Sequence, residues 1–520
     1  MYNQGLFKDW VPKLGMLLLI IIMLVVILLA NPIYTGNIGL MVSSTGLMTE
    51  HFMWANYAST IGMSIAVPLV MRLKARFRSK ELMIATLLIM ALMSFTIATT
   101  QVAEVIIAAG FLFGAAKMIA MIEVIIPTMF IISPTGDRAK FYPVFYPLVI
   151  ILAQLGGVLA SNLSLIMTWQ MIHIYSTSIL LLMALVSVIV MHNLRFQRKM
   201  PFYQIDWLSI GLFTTSLMSL AYVLVFGKQQ AWFVSDSITV SLVVSIGTMI
   251  WLVARQNTQK RPYISFKLFK QKNVRTGMIL MTFLGMFMAA GSVVSIYTNA
   301  ILRYNWMTNA SLGLMLLPGM VAAGFVASYW MKNKMPLKMF IFSGFGAYVL
   351  YLVMLYFMMV PGLNVESFIL PQFLSGYGMS SLFIAVWVYT LDKVPMQDML
   401  PSVGLVMVFR TFIATGLFGA IYSWLHYKLQ WQSVNNLAVY FDATLMNHHQ
   451  GQGDYRGIQL SAILAANKAL IGYMILAGIG VLSYIFFHQF GSLKYKIARY
   501  NMYRSDKIVK RERQKVLKNQ

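Results

Sequence analysis

Long apolar runs separated by short clusters of Lys and Arg dominate this chain and leave few ways to fold it. A helix of roughly 20 apolar residues spans a bilayer. Runs of that kind lie near 13–35, 52–71, 81–100, 103–131, 141–163 and 170–192, then near 207–226 and 236–254, then near 276–300, 310–331, 337–360, 366–390, 401–427 and 465–489. That makes fourteen, grouped as six, two and six. In lipid each backbone N–H and C=O must find its partner within the segment, so each run is read as a helix and the chain as an all-α membrane protein. The composition agrees: 59% of the 520 residues are hydrophobic and 11% charged, against about a quarter charged in soluble domains.

The basic residues test this layout. Counted with the N-terminus inside, 33 of the 40 Lys and Arg fall in segments on the cytoplasmic side, among them Arg72 to Lys80, Arg255 to Arg275 and the tail from Lys494 to Lys518. Lys228, Arg303, Lys428, Arg456 and Lys468 fall outside, and Lys117 and Arg410 lie within spans. Positive charge collects on the cytoplasmic side of membrane proteins, so both termini are expected there, in a bacterial inner membrane. The net charge of +25 is therefore a topology signal. A nucleic-acid binder would gather its basic side chains on one soluble face instead.

The chain has no cysteine, which excludes disulfides and thiolate chemistry. The first apolar run reads as the first of many spans, not as a cleavable signal peptide. A polar segment near 427–461 is expected to be the longest external one; its His448 and His449 lack a third metal ligand at useful spacing. The basic tail suits anionic lipid headgroups or plain solvent. No nucleophile motif and no GxxxxGK[ST] loop is present, so the chain is read as neither an enzyme nor an ATP-driven pump.

Several stretches resemble the fourteen-spanner drug:proton antiporter branch of the major facilitator superfamily. Ile205-Asp206-Trp207 with Gly211 opens the seventh run, and Gly227 and Trp232 follow. Pro262 to Lys270 resembles that branch's proline-led segment ending in Leu-Phe-Lys. Gly313, Leu316, Leu317 and Pro318 match its tenth helix, Pro371, Gln372, Gly376 and Gly378 its twelfth, and Arg410-Thr411 its thirteenth. Other signatures are eroded. Met71 to Arg76 keeps the basic character and the arginine of the loop after the second helix but not its acid. The fifth helix keeps Gly156-Gly157, small residues that let helices approach in lipid, without the usual Gly-Pro. Ala30-Asn31 stands where a carboxylate is common, and Gly110 where the fourth helix carries arginine.

The chemistry is expected in the buried charges, because ionisable groups inside a span are costly. Lys117 and Glu123 fall in the fourth run and Arg410 in the thirteenth. Lys117 follows Gly110 by seven residues, nearly on one helical face, so the resemblance reads as a positive charge moved along the helix. Six residues separate Lys117 from Glu123, about 120° around the axis, so they are expected to find partners elsewhere. Glu123 is the acid deepest within a span and the candidate for gaining and losing a proton; Lys117 is the candidate to bias it or to hold an anionic substrate end. Arg410 and Asn31 complete the candidate site, with Arg76, Gly156, Gly157 and Pro318 as packing or conformational residues. The 41 methionines suit a flexible lining for varied apolar substrates and equally a surface facing lipid.

The expected organisation is a six-helix bundle over 1–192, two inserted helices with basic linkers over 193–275, a second bundle over 276–489 and a basic tail over 490–520. The resemblance implies alternating access, with export of small amphipathic or lipophilic compounds driven by a proton gradient, no bound cofactor, and room for a periplasmic adaptor. A transporter of a specific lipid or metabolite without proton coupling is the alternative, and a non-transporting scaffold or sensor a second one. The buried charges argue against a scaffold.

Overall fold

The computed structural model describes residues 7–8, 10–133, 138–193, 205–259, 262–264, 266–392, 394, 396–444 and 452–490. The linker basics of 194–204, the His448-His449 pair and the tail from 491 lie outside the described residues. Those described are almost entirely helical.

Helix α1 (Lys13–Leu29) stops short of the expected end at 35. Pro32 has no N–H to donate and drives Asn31 out of helical conformation, so Ala30 is already extended. A short 3-10 turn (Thr35–Asn37) and α2 (Ile38–Thr45) follow, closed by Gly46 at φ 70°. Five long helices come next: α3 (Thr49–Arg76), α4 (Ser79–Thr99), α5 (Ala103–Ile132), α6 (Arg138–Leu163) and α7 (Trp169–Val190). Then come α8 (Trp207–Phe226) and α9 (Asp236–Thr258). After them α10 (Lys272–Met288) bends into α11 (Ala290–Ile296) and a π-helical turn, Tyr297–Ile301. The remaining helices are α12 (Trp306–Leu314), α13 (Leu317–Lys332), α14 (Leu337–Met358), α15 (Ile369–Leu391), α16 (Met396–Val408), α17 (Phe418–Thr444) and α18 (Gln452–Phe487).

Among the described residues, eleven helices are long and apolar enough to cross a membrane. The other three expected positions are helical too, but α1 is shorter than that measure and α3 and α16–α17 are shorter or more polar. Two expectations need correction. The thirteenth run is interrupted, since residues Phe409–Leu417 wind as a π-helix between α16 and α17. The polar segment near 427–461 is mostly helix, through Thr444 and again from Gln452. Polar residues beyond the bilayer keep their helical hydrogen bonds as readily as apolar ones within it.

The pairing of helices repeats along the chain. α3 packs on α5 and α13 on α15; α4 packs on α5 and α7, and α14 on α15 and α18. Both α3–α5 and α13–α15 rest on glycine. A Cβ on Gly114 would collide with the Ser59 carbonyl, and one on Gly376 with that of Leu316. Small residues bring the backbones together where lipid offers no hydrophobic drive for association. The two sets meet through α6 against α12, α13 and α15, and through α3 against α16. α8 lies on α3 and carries α9 outside it. The contrast in burial follows, with 72% of the apolar window of the α15 span buried against 17% for α9.

Candidate functional site

A cavity of about 290 Å³ opens where α10–α15 face α6. Its polar groups are amides and hydroxyls, Gln154 from α6 with Ser295, Thr298, Asn309, Gln372 and Ser375 from the other wall. Phe287, Met288, Tyr348, Tyr351 and Met379 supply apolar and aromatic surface. Among the described residues, no Lys, Arg, Asp, Glu or His lines it. A small concave site with scattered hydrogen-bonding groups suits a small molecule, and this one suits an uncharged or weakly polar ligand surface. None of Lys117, Glu123, Arg410 and Asn31 reaches the cavity. Gly313, Leu316 and Gln372, residues that carried the family resemblance, do.

The expected site residues form separate clusters. Halfway along α5, Lys117 is 6% exposed and reaches the broken end of α1. Its Nζ donates to the carbonyls of Ala30 at 2.7 Å and Leu28 at 3.3 Å and to Oδ1 of Asn31 at 2.7 Å. The last carbonyls of a helix have no partner within it, and here a buried ammonium serves them. The Tyr34 hydroxyl donates to Leu29 O and accepts from Asn31 N–H, both at 3.4 Å. Its ring lies 5.5 Å from that of His173 on α7, which is itself within 3.4 Å of Ser94 Oγ.

Glu123, 1% exposed, lies 3.3 Å from Lys74 Nζ at the end of α3. The end of α3, where Met71 to Arg76 carries no acid, is thus tied to α5 through Glu123.

Comparison with known proteins places this architecture. No protein-family model matches the chain. It is 21% identical to the probable multidrug resistance protein EmrY of Escherichia coli (strain K12) over 380 residues, which cover 70% of this chain and 71% of EmrY. It is 25% identical to the multidrug export protein EmrB of Haemophilus influenzae over 276 residues, 52% of this chain and half the length of that relative. Among solved structures, the nucleoside transporter NupG superposes with a TM-score of 0.51 at 12% identity, covering 91% of this chain and 99% of NupG. An auto-inhibited POT family peptide transporter gives 0.52 at 12% identity, covering 91% and 97%. The chain is a membrane transporter with the major facilitator fold.

Other expected residues of the transporter take varied places. Arg410 sits in the π-helical stretch, its guanidinium 4.2 Å from the Phe383 ring of α15, and the Tyr146 ring of α6 stacks on Trp387 one turn further along α15. This is a junction between the two sets of helices, with Arg410 beside it. Arg76 ends α3, half-buried. Pro318 is in the first turn of α13, where a missing N–H costs nothing. Gly156 faces α1, a Cβ there lying 3.2 Å from Leu29 O, whereas Gly157 has open space around it. Only the first glycine of the pair is a close approach, because the second points away from α1.

Asp206 explains the segment that opens α8. It caps the helix through the Ser209 amide and hydroxyl and meets Arg255 of α9 at 3.0 Å. Partial burial pushes this carboxyl up, but the Ser209 and Arg255 contacts outweigh it and hold it below its ordinary value. Gln256 donates to Ser209 Oγ and accepts from the Ile264 amide, and Tyr263 OH donates to Ile65 O of α3 at 2.5 Å. The Pro262 segment thus docks α9 against α3. No residue of α8 or α9 lines the cavity.

Proposed function

We propose that the transporter exports small amphipathic or lipophilic compounds across a bacterial inner membrane in exchange for entering protons. Both termini face the cytoplasm, and bundles spanning 1–192 and 276–489 rock about the junction of α6 with α12–α15 and of α3 with α16. The inserted helices over 193–275 stay at the periphery.

The uncharged cavity at that junction is the observation that carries the reading. Its amides, hydroxyls and aromatic rings accommodate varied small compounds, and it leaves the costly buried charges of α5 free for another task. Alternating access about a site near mid-membrane is the general logic of secondary transporters. Similarity to proteins named for multidrug export favours export over uptake.

Purified transporter in proteoliposomes, tested on a panel of lipophilic compounds with and without a pH gradient, checks this. Accumulation of several compounds against their own gradients, abolished by collapsing the pH gradient, is the expected result. Transport of one compound alone, indifferent to the gradient, would favour a dedicated lipid or metabolite transporter. A reporter at 440–455 should be external and one after residue 520 cytoplasmic.

A further inference from the structure

We propose that Lys117 carries the coupling proton, cycling between ammonium and amine at the broken end of α1. This rests on the proton-coupled reading above and names its titrating group.

The count of hydrogens carries the argument. An ammonium has three donors, and the site offers three acceptors: Leu28 O, Ala30 O and Asn31 Oδ1. Among the described residues no carboxylate pairs with Lys117; the acid of the same helix, Glu123, is engaged with Lys74. A buried charge held only by neutral acceptors depends on every one of them. An amine has two hydrogens and a lone pair. When the proton leaves, one acceptor loses its donor and a lone pair faces a carbonyl. Gain of a proton therefore ties α1 to α5, and loss loosens that tie. Proton balance is simple: the amine takes a proton from the external side and the ammonium releases it to the cytoplasm.

The surroundings fit a site with one titrating group. On α1 no titratable side chain lies between Leu14 and Leu29. On α3, Glu50 and His51 are in the first turn and Arg72, Lys74 and Arg76 in the last two, while the Tyr57 ring contacts Phe412. On α4, Lys80 and Glu81 are in the first turn. On α6, Lys140, Tyr142 and Tyr146 are near its start, and on α5 itself Glu104 is in the first turn. Among the described residues only Tyr34 belongs to the same cluster, with His173 of α7 against its ring. His173 is one turn from the external end of α7 in the proposed topology, which places the tyrosine and histidine on the external side of Lys117.

The chain has no cysteine, so spin labels on Gln101→Cys and Gly362→Cys, exposed in external loops of the two proposed bundles, report opening with no substrate needed. In the otherwise unchanged full-length transporter the distance distribution should shift between mildly acidic and mildly alkaline pH. Lys117→Arg keeps the charge and cannot release it, so the shift should vanish, pinned at the acidic distribution. Lys117→Met should pin the opposite one. Asn31→Asp adds a carboxylate that favours the ammonium and should move the midpoint to higher pH, an effect that simple packing damage would not produce. A wild-type shift that persists in both Lys117 variants would overturn the proposal, as would a wild type with no shift. If the wild type accumulates compounds on a pH gradient and Lys117→Arg does so equally, the Lys117 assignment fails while the proposed function stands.

Discussion

The halves of the transporter share a scaffold and differ in what they bury. In the first, α5 carries Lys117 and Glu123 through the interior, each met by a dedicated partner, Asn31 with the end of α1 for one and Lys74 for the other. In the second, α10–α15 form most of the wall of a cavity, closed by Gln154 of α6, with amides, hydroxyls and rings and, among the described residues, no charged side chain. Charge in a membrane interior needs fixed partners, so it suits a switch with defined states. A lining of neutral groups tolerates different ligands because no single ion must be paired. Under the proposed function, the difference puts energy coupling and compound recognition in separate parts of one framework.

The largest effect is expected where the halves are alike. Gly114→Val and Gly376→Val each drive a side chain into a carbonyl of the neighbouring helix. Both should abolish monodisperse protein in detergent, read by size-exclusion chromatography, while Gly157→Ala, with open space around it, should not. If only one of the two valine variants fails, the shared scaffold is less symmetric than the helix pairings indicate.

Next comes the buried pair. Glu123→Ala strands Lys74, which is 11% exposed. Removing one partner of a buried pair costs about 3–5 kcal/mol, and the partial exposure of Lys74 lowers the expected loss to about 2 kcal/mol, seen as earlier thermal unfolding. Adding Lys74→Met should recover much of it. Glu123→Gln should keep pH-driven accumulation; its loss with folding intact would move the coupling role to Glu123.

In the neutral cavity, Gln372→Leu or Gln154→Leu removes one amide. A net hydrogen bond contributes about 1 kcal/mol, so the apparent affinity for compounds with hydrogen-bonding groups should fall about fivefold to tenfold. Compounds lacking such groups should be unaffected or bind better in dye-displacement titrations. An equal loss for all compounds would mean that the amides shape the helices and do not touch the ligand.

The smallest effect belongs to the peripheral helices. Asp206→Asn keeps a capping side chain but loses the ion pair with Arg255, so it should cost about 0.5–1 kcal/mol in thermal unfolding of detergent-solubilised protein and leave transport unchanged. The Asp206 carboxyl is held below its ordinary value in the folded state. Its contribution is thus present above the unfolded-state value and lost as pH falls through the folded one, and the wild type and Asp206→Asn should converge in acid.

The membrane class, the helices and the buried charges were legible because lipid punishes charge and unpaired backbone severely. Lys117, Glu123 and Arg410 stood out for that reason. Their partners did not, because Asn31 and Lys74 come close only through the packing of α1 and α3 on α5. The break of α1 was written in Asn31-Pro32, yet the apolar run on either side of it masked it. The cavity escaped notice because glutamine and serine within apolar helices carry no charge to draw attention, although Gly313, Leu316 and Gln372 had already marked its walls by resemblance. The ends of α17 and α18 extend past the expected spans into the polar 427–461 segment, because polar composition by itself does not end a helix.

The separation of coupling from recognition is tested most directly by uphill and exchange transport in proteoliposomes, using two compounds that the wild type accumulates. The account predicts that Lys117→Met loses accumulation on a pH gradient and keeps exchange of both compounds in their wild-type ratio, while Gln372→Leu changes that ratio and keeps accumulation. A Lys117→Met transporter with an altered compound ratio, or one that still accumulates either compound on the gradient, would contradict it.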